Sequence, residues 1–253
     1  RPVPKSTIDG EKTAATQPFT IASLQLARNS IKRDELYNLT PAHADYCRSL
    51  WDKNNAFNDG PYTPWTMKES GKTAVIFPGA VGGGNWGGVA TDPTTGYVFA
   101  NVMNTGQWGY LEKSSGGGRG GSGSGLTKST PFGDGNPARF RFWNPETQWP
   151  CQNPPWGEFV AVNANTGEVA WRVPPGSFPE AEKQGVKNAG TPNMGGAIAT
   201  AGGVVFIGAT LDAKFRPFDA KTGKVLWEAN VDAPAHSTPS TYLGGDGRQY
   251  VVL

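Results

Sequence analysis

Two segments of the chain repeat one pattern, Val162-Asn-Ala-Asn-Thr-Gly-Glu-Val-Ala-Trp171 and Phe218-Asp-Ala-Lys-Thr-Gly-Lys-Val-Leu-Trp227. Each reads as a hairpin. Apolar, strand-like residues come first (Gly157 to Val162; Val204 to Ile207 and Phe215 to Phe218). Asn or Asp, Thr and Gly then supply the turn, because Gly reaches positive φ without a Cβ penalty and Asx side chains bond the backbone two residues on. A strand ending in Trp follows, an aromatic large enough to pack between neighbouring sheets. A third copy, Ala90-Thr-Asp-Pro-Thr-Thr-Gly-Tyr-Val-Phe99, keeps Asp, Thr and Gly and lacks the Trp. Short-strand units of about forty to sixty residues predict an all-β array of the β-propeller kind, in which each blade is one antiparallel sheet. The repeat further predicts that Trp171 and Trp227 occupy equivalent inter-blade positions.

Composition narrows the class. Gly 35 and Pro 21 suit many tight turns better than a helical bundle. A formal charge of +2 gives no basic field for nucleic acid or an anionic membrane. There is no apolar run of about 18 residues, hence no membrane span within the chain. At 253 residues it reads as one domain, 1–253. It begins at Arg1 and stops inside the apolar strand Arg248 to Leu253, and the reading expects a fragment.

Cys47 and Cys151 form no CxxC site, and two readings stay open: a pair of buried thiols, or a disulfide made in an oxidising compartment. His43 lies near the start of a helix and His236 in the loop Pro234-Ala-His-Ser-Thr-Pro239. Neither has an HxxxH partner, so both read as structural.

Along the chain, residues 1–58 are irregular and then helical, around Ile31 to Leu36 and Pro41 to Lys53, with Thr40 as N-cap and Pro41 at the first helical position. The second helix carries an apolar stripe of Ala44, Cys47, Leu50 and Trp51, and is a short embellishment on the sheets. A strand Thr73 to Phe77, a Gly-rich bend Gly79 to Gly88 and a strand Tyr97 to Val102 come next. The run Ser114 to Gly125 is Gly/Ser low-complexity sequence, read as a long mobile loop in preference to an interdomain linker.

Gly82-x-Gly84-x-x-Gly87 matches the dinucleotide fingerprint in letters only. Pro93 and Gly96 stand where the crossover helix would begin, and without a helix N-terminus nothing holds a pyrophosphate. GxSxG, HExxH and Walker motifs do not occur.

Four further segments carry a resemblance: Gly10-Glu-Lys-Thr-Ala-Ala-Thr-Gln-Pro-Phe19, Phe77-Pro-Gly-Ala-Val-Gly-Gly-Gly-Asn-Trp-Gly-Gly88, Pro150-Cys-Gln-Asn-Pro-Pro-Trp-Gly157, and Asn193-Met-Gly-Gly-Ala-Ile running on to Thr210. In this order, with the Thr-Gly-x-x-x-Trp turns between them, the chain resembles the pyrroloquinoline quinone (PQQ) dependent dehydrogenases, most closely the membrane glucose dehydrogenase branch. The resemblance implies an eight-bladed β-propeller, of which this chain is about four blades.

The same resemblance implies that the catalytic Asp, the Ca2+ ligands and a quinone-contacting Lys lie upstream of Arg1, and that a Gly-Gly-His turn and the ring-closing strand follow Leu253. No catalytic residue or metal ligand is therefore assigned here. Asn101 resembles the family Asn whose amide reaches the quinone, and Asn85 and Trp86 a segment lining the same mouth. Met194, with Gly195 and Gly196, stands where alcohol dehydrogenase relatives have a Trp under the cofactor plane, a place where a thioether still packs on a planar ring. Trp171 and Trp227 belong to blade packing by their repeat position.

The implied activity is oxidation of a sugar or alcohol hydroxyl, with PQQ and Ca2+ as cofactors and a quinone or cytochrome as electron acceptor, in the periplasm and membrane-associated through segments outside this chain. In that mechanism a carboxylate takes the hydroxyl proton while hydride moves to the quinone. The competing class is a non-catalytic propeller scaffold or binding protein. The Trp-bearing turns serve both equally, whereas the Pro150 to Gly157 segment and the Asn101 strand are features of the enzyme branch.

Overall fold

The computed structural model describes residues 1–20, 25–113, 125–132 and 141–253. Apart from Gly125, the Gly/Ser-rich run read as a loop lies outside the described residues. Two compact units are present: residues 1–20, 28–81 and 105–153 form the first, and residues 21–27, 82–104 and 154–253 the second.

The first unit holds a four-stranded sheet of β1 (Ala56–Phe57), β2 (Thr73–Ile76), β5 (Gln107–Lys113) and β6 (Leu126–Ser129), in that order. The second holds a sheet of β3 (Val89–Asp92), β4 (Tyr97–Met103), β7 (Gly157–Asn163) and β8 (Glu168–Val173). It also holds a sheet of β9 (Ala197–Thr200), β10 (Val204–Ile207), β11 (Lys214–Asp219) and β12 (Ala229–Asn230), and a hairpin of β13 (Ser240–Leu243) with β14 (Gln249–Val252). In chain order, strand pairs alternate between the first two sheets, β3 and β4 following β2 and preceding β5. Among the described strand pairs, pairing is antiparallel apart from β1 with β2, which is parallel and departs from the all-antiparallel blade expected.

The repeated turns are built alike. Oδ1 of Asp92, Asn163 and Asp219 accepts from the N–H two residues on, at 2.9, 2.9 and 3.1 Å. The N–H of Gly96, Gly167 and Gly223 closes each turn onto the carbonyl of that Asx residue, at 2.9, 2.8 and 2.9 Å. Those glycines have φ of 70°, 73° and 70°, the left-handed region a side chain disfavours.

A fourth turn of this construction lies at Asn144-Pro-Glu-Thr-Gln148. Asn144 Oδ1 accepts from Glu146 N–H at 2.9 Å, and Gln148 N–H bonds the Asn144 carbonyl at 2.8 Å. Sequence reading passed over it because Gln148, with φ 59°, stands in the glycine position. Gln148→Gly is expected to stabilise by up to about 1 kcal/mol, since relief of the left-handed penalty exceeds the entropy glycine adds to the unfolded chain. Gly223→Ala is expected to cost about 2 kcal/mol, because its Cβ would stand 2.7 Å from Trp171 Cδ2 at a φ already adverse to alanine. Denaturant midpoints of the two variants moving in the same direction would contradict this account.

In the second unit, alternate residues of the strands meet in one cluster containing Phe99, Phe159, Trp171, Val205, Ile207 and Phe218. Each such side chain contributes about 2 kcal/mol on burial. Trp171 is 9% exposed, rests on Phe99 and Phe159, and donates Nε1–H to the Ala220 carbonyl at 2.9 Å. Trp227 is 49% exposed and meets the edge of Phe215, so the expected equivalence of the two Trp positions fails. The physical reason is the cover: the turn from Asp219 to Gly223 lies on Trp171, whose ring a Gly223 Cβ would meet at 2.7 Å, whereas Trp227 keeps about half of its surface open. After its own turn the second repeat keeps only one bridge, Phe218 to Val225, before β12.

In the first unit, helix α1 (Pro41–Lys53) starts at Pro41 as expected and buries Ala44, Cys47, Leu50, Trp51 and also His43. Thr40 precedes it with extended backbone, but its hydroxyl meets Tyr37 Oη at 3.2 Å and caps no N–H. The helix expected over Ile31 to Leu36 is a single 3-10 turn, Arg33–Glu35. Leu36 is extended because it pairs with Gln152, which ends the turn. Cys47 and Cys151 form a disulfide, which decides between the two readings left open. A short helix α2 (Pro179–Lys183) belongs to the second unit. Among the described residues, no helix is long and apolar enough to cross a membrane.

Candidate functional site

Period-two alternation puts Asn101 on the same face of β4 as Phe99 and Met103, the face that packs toward β9 to β11. Phe99 fills that interface; Asn101 stands one step nearer the strand end and is 8% exposed. Its Nδ2 donates to the Gly195 carbonyl at 3.0 Å, just before β9 begins. Its Oδ1 is buried without a hydrogen-bond partner.

The Gly-rich bend reaches the same place through its main chain. Met103 N–H donates to the Gly83 carbonyl at 2.8 Å, which ties the bend to the end of β4. Gly87 lies flat on the Met194 to Gly196 segment: a Cβ there would stand 2.3 Å from Gly196 N and 2.4 Å from Gly195 C. Only glycine permits that approach of two backbones. Asn85 shapes the bend, its Oδ1 accepting the Trp86 N–H at 2.7 Å and its carbonyl the Gly88 N–H at 3.0 Å. The Trp86 ring is 66% exposed beside it.

Met194 is half-buried, whereas Gly195 and Gly196 are buried. Met194 N–H donates to the Ala209 carbonyl at 3.1 Å, which docks the segment against the end of β10. The loop following β12 closes the other side. His236 Nδ1 meets the Met194 carbonyl at 3.0 Å, and a Cβ on Gly196 would fall 2.2 Å from Thr238 Oγ1.

Asn101, Met194, Gly195 and Gly196 are thus brought together with the bend that carries Asn85 and Trp86. The bend makes its contact through Gly87 and shapes itself through Asn85. Gly195 and Gly196 serve close main-chain packing, leaving Met194 as the side chain of that trio with open surface.

Sequence reading gave His236 only a structural role and passed over Asn193. Asn193 is 3% exposed with neither carboxamide atom hydrogen-bonded, beside Met194 and against Gly157, where a Cβ would lie 2.5 Å from its Nδ2. Its signal was its place at the head of the Asn-Met-Gly-Gly run. Asn104 was also missed: its Nδ2 donates to Glu158 Oε2 at 2.8 Å, and Arg172 pairs with the same oxygen at 3.0 Å. That chain of polar groups holds the ends of β4 and β7 together.

His43, Cys47 and Cys151 gather in the first unit, with one ligand-type atom each within 4.8 Å of the others. The two sulfurs are bonded to each other, and His43 Nε2 bonds the Pro150 carbonyl at 3.1 Å. Burial holds the His43 pKa below its ordinary value, against the pull of that carbonyl. A nitrogen-and-sulfur set of this kind does not suit calcium, which takes oxygen ligands.

Residues 1–251 match the family described as PQQ glucose/ethanol/alcohol dehydrogenase, beta-propeller domain. The chain is 35% identical to the quinate/shikimate dehydrogenase (quinone) of Acinetobacter baylyi over 271 residues, covering 100% of this chain and 32% of that protein. It is 34% identical to the probable quinate dehydrogenase (quinone) of Xanthomonas campestris pv. juglandis, covering 100% of this chain and 33% of that protein. It is 32% identical to quinoprotein glucose dehydrogenase A of Acinetobacter calcoaceticus, covering 100% of this chain and 32% of that protein. The chain thus spans about a third of the length of these relatives.

Proposed function

Because the chain belongs to the family of the PQQ glucose/ethanol/alcohol dehydrogenase β-propeller domain, we propose that it is one stretch of a single propeller domain in a PQQ-dependent dehydrogenase. The reaction is oxidation of a CH–OH group of a sugar, polyol or cyclic hydroxy acid, with electrons passed to a quinone or cytochrome. The observation that carries this is the family match over residues 1–251, supported by three four-stranded sheets, the size of a propeller blade. Relatives matching over the full chain and acting on quinate and glucose favour an enzyme over a non-catalytic scaffold. The corresponding location is the periplasm.

The residues at the site fit the cofactor. Asn101 keeps one amide hydrogen beyond its bond to Gly195 and a buried Oδ1 with no partner, so the carboxamide offers a donor to a quinone oxygen and an acceptor to a ring N–H. Met194 offers a thioether to the ring face. Trp86 and the Asn85 bend border the same place. When bound, PQQ supplies a two-electron acceptor for hydride. The part of Asn101 is to hold a fixed dipole where negative charge develops. Ca2+ would be held by oxygen ligands, and no step is assigned to it from these residues.

The test is reconstitution of the full-length protein with PQQ and Ca2+, followed by dye-linked oxidation of quinate, glucose and glycerol. Turnover of at least one of these that depends on added PQQ is expected. A full-length protein that neither binds PQQ nor reduces the dye would overturn the reading and leave the scaffold.

A further inference from the structure

We propose that His236 is a positioning residue of the cofactor site, acting through Met194, an inference that rests on the PQQ reading above. The main chain around Met194 is tied at three polar groups within two residues. Met194 N–H is held by Ala209, the Met194 carbonyl by His236 Nδ1, and the Gly195 carbonyl by Asn101 Nδ2. One of these tethers comes from a side chain within β4 and one from the main chain just past β10. The middle one comes from the side chain of an irregular loop.

That middle tether sits on a peptide able to turn over. The plane between Met194 and Gly195 rotates through ψ of the first residue and φ of the second, and Gly195, at φ 135°, accepts orientations that a side chain would forbid. A donor on the Met194 carbonyl selects one of them. Since a carbonyl only accepts, His236 must carry its proton on Nδ1 for the bond to exist, whether the ring is neutral or charged. The loop is already pressed on the segment, its Ala235 and His236 carbonyls each 3.1 Å from where a Gly195 Cβ would be. His236 therefore sets where the flexible Met194 thioether projects, and with it the surface offered to a planar ring.

The experiment uses full-length protein labelled at methionine methyl groups, with the Met194 signal assigned by its loss in Met194→Leu, and compares wild type, His236→Leu and His236→Asn. Asparagine carries a donor close to the place of Nδ1; leucine keeps bulk and removes the donor. Without PQQ, His236→Leu is expected to shift or broaden the Met194 signal and His236→Asn to preserve it. With PQQ, His236→Leu is expected to weaken binding about tenfold, the size of one lost hydrogen bond, and His236→Asn to remain near wild type. An unmoved Met194 signal in His236→Leu overturns the tether. A moved signal with unchanged PQQ affinity overturns its role at the cofactor. Wild-type protein that binds no PQQ overturns the cofactor reading and the cofactor role of His236 together, while the ligand-free signal still reports separately on the tether.

Discussion

On the proposed PQQ reading, replacing Asn101 by alanine is expected to lower turnover of the full-length protein about 10²-fold, the usual cost of removing one preorganised donor from a site where charge develops. The same substitution frees the Gly195 carbonyl from its 3.0 Å bond and leaves it buried, so a loss of about 1–3 kcal/mol in the stability of the ligand-free protein accompanies it. The two losses are separable. Turnover and PQQ affinity are read on protein still folded at low temperature, and stability from its denaturant midpoint. An Asn101→Ala enzyme with unchanged rate and unchanged PQQ affinity would remove Asn101 from the site while leaving the family assignment intact.

Cleaving the Cys47–Cys151 disulfide is expected to have the largest effect on stability. The bridge closes a sequence separation of 104 residues, and the chain-entropy cost it removes from the unfolded state is about 4.7 kcal/mol for a loop near that length. It also fastens α1 to the segment that pairs with Leu36, where Tyr37 N–H meets the Cys151 carbonyl at 2.9 Å. Cys47→Ala, or wild type held in reductant, is therefore expected to unfold at markedly lower denaturant than the oxidised protein. Coincident curves for the oxidised and reduced forms would show that the bridge adds nothing to the first unit. The second unit, which holds the candidate site, provides the internal control: fluorescence of Trp171 should report less change than that of Trp51, beside Cys47 on α1.

Some of this protein was readable from local chemistry alone. Asp92, Asn163 and Asp219 each bond the backbone two residues on, and the glycine that follows reaches positive φ unaided. Such turns need no partner from elsewhere, so three short patterns disclosed an array of hairpins. The helix at Pro41 was legible for a similar reason, since a Pro at its first position and a three-four stripe are properties of one segment. Asn101, Met194 and the Gly-rich bend were picked out by resemblance, and they do come together.

What depends on distant partners was not legible. The Asn144 to Gln148 turn escaped because a context strong enough to hold Gln148 at φ 59° is not written in its neighbours. Trp171 and Trp227 share a motif, yet only one is covered, because cover is supplied by another segment. His236 sits in an unremarkable loop and acquires its meaning only from the Met194 carbonyl it meets, 42 positions away. The pairing of Cys47 with Cys151 and the alternation of strands between two sheets are likewise facts of chain routing. The amino-acid sequence by itself determined the hairpin units and the family to which the chain belongs, since both reside in contiguous residues. Only the tertiary structure decided which backbone groups those residues tether, since a hydrogen bond or a covering ring requires two segments at contact distance, and sequence separation does not encode that distance.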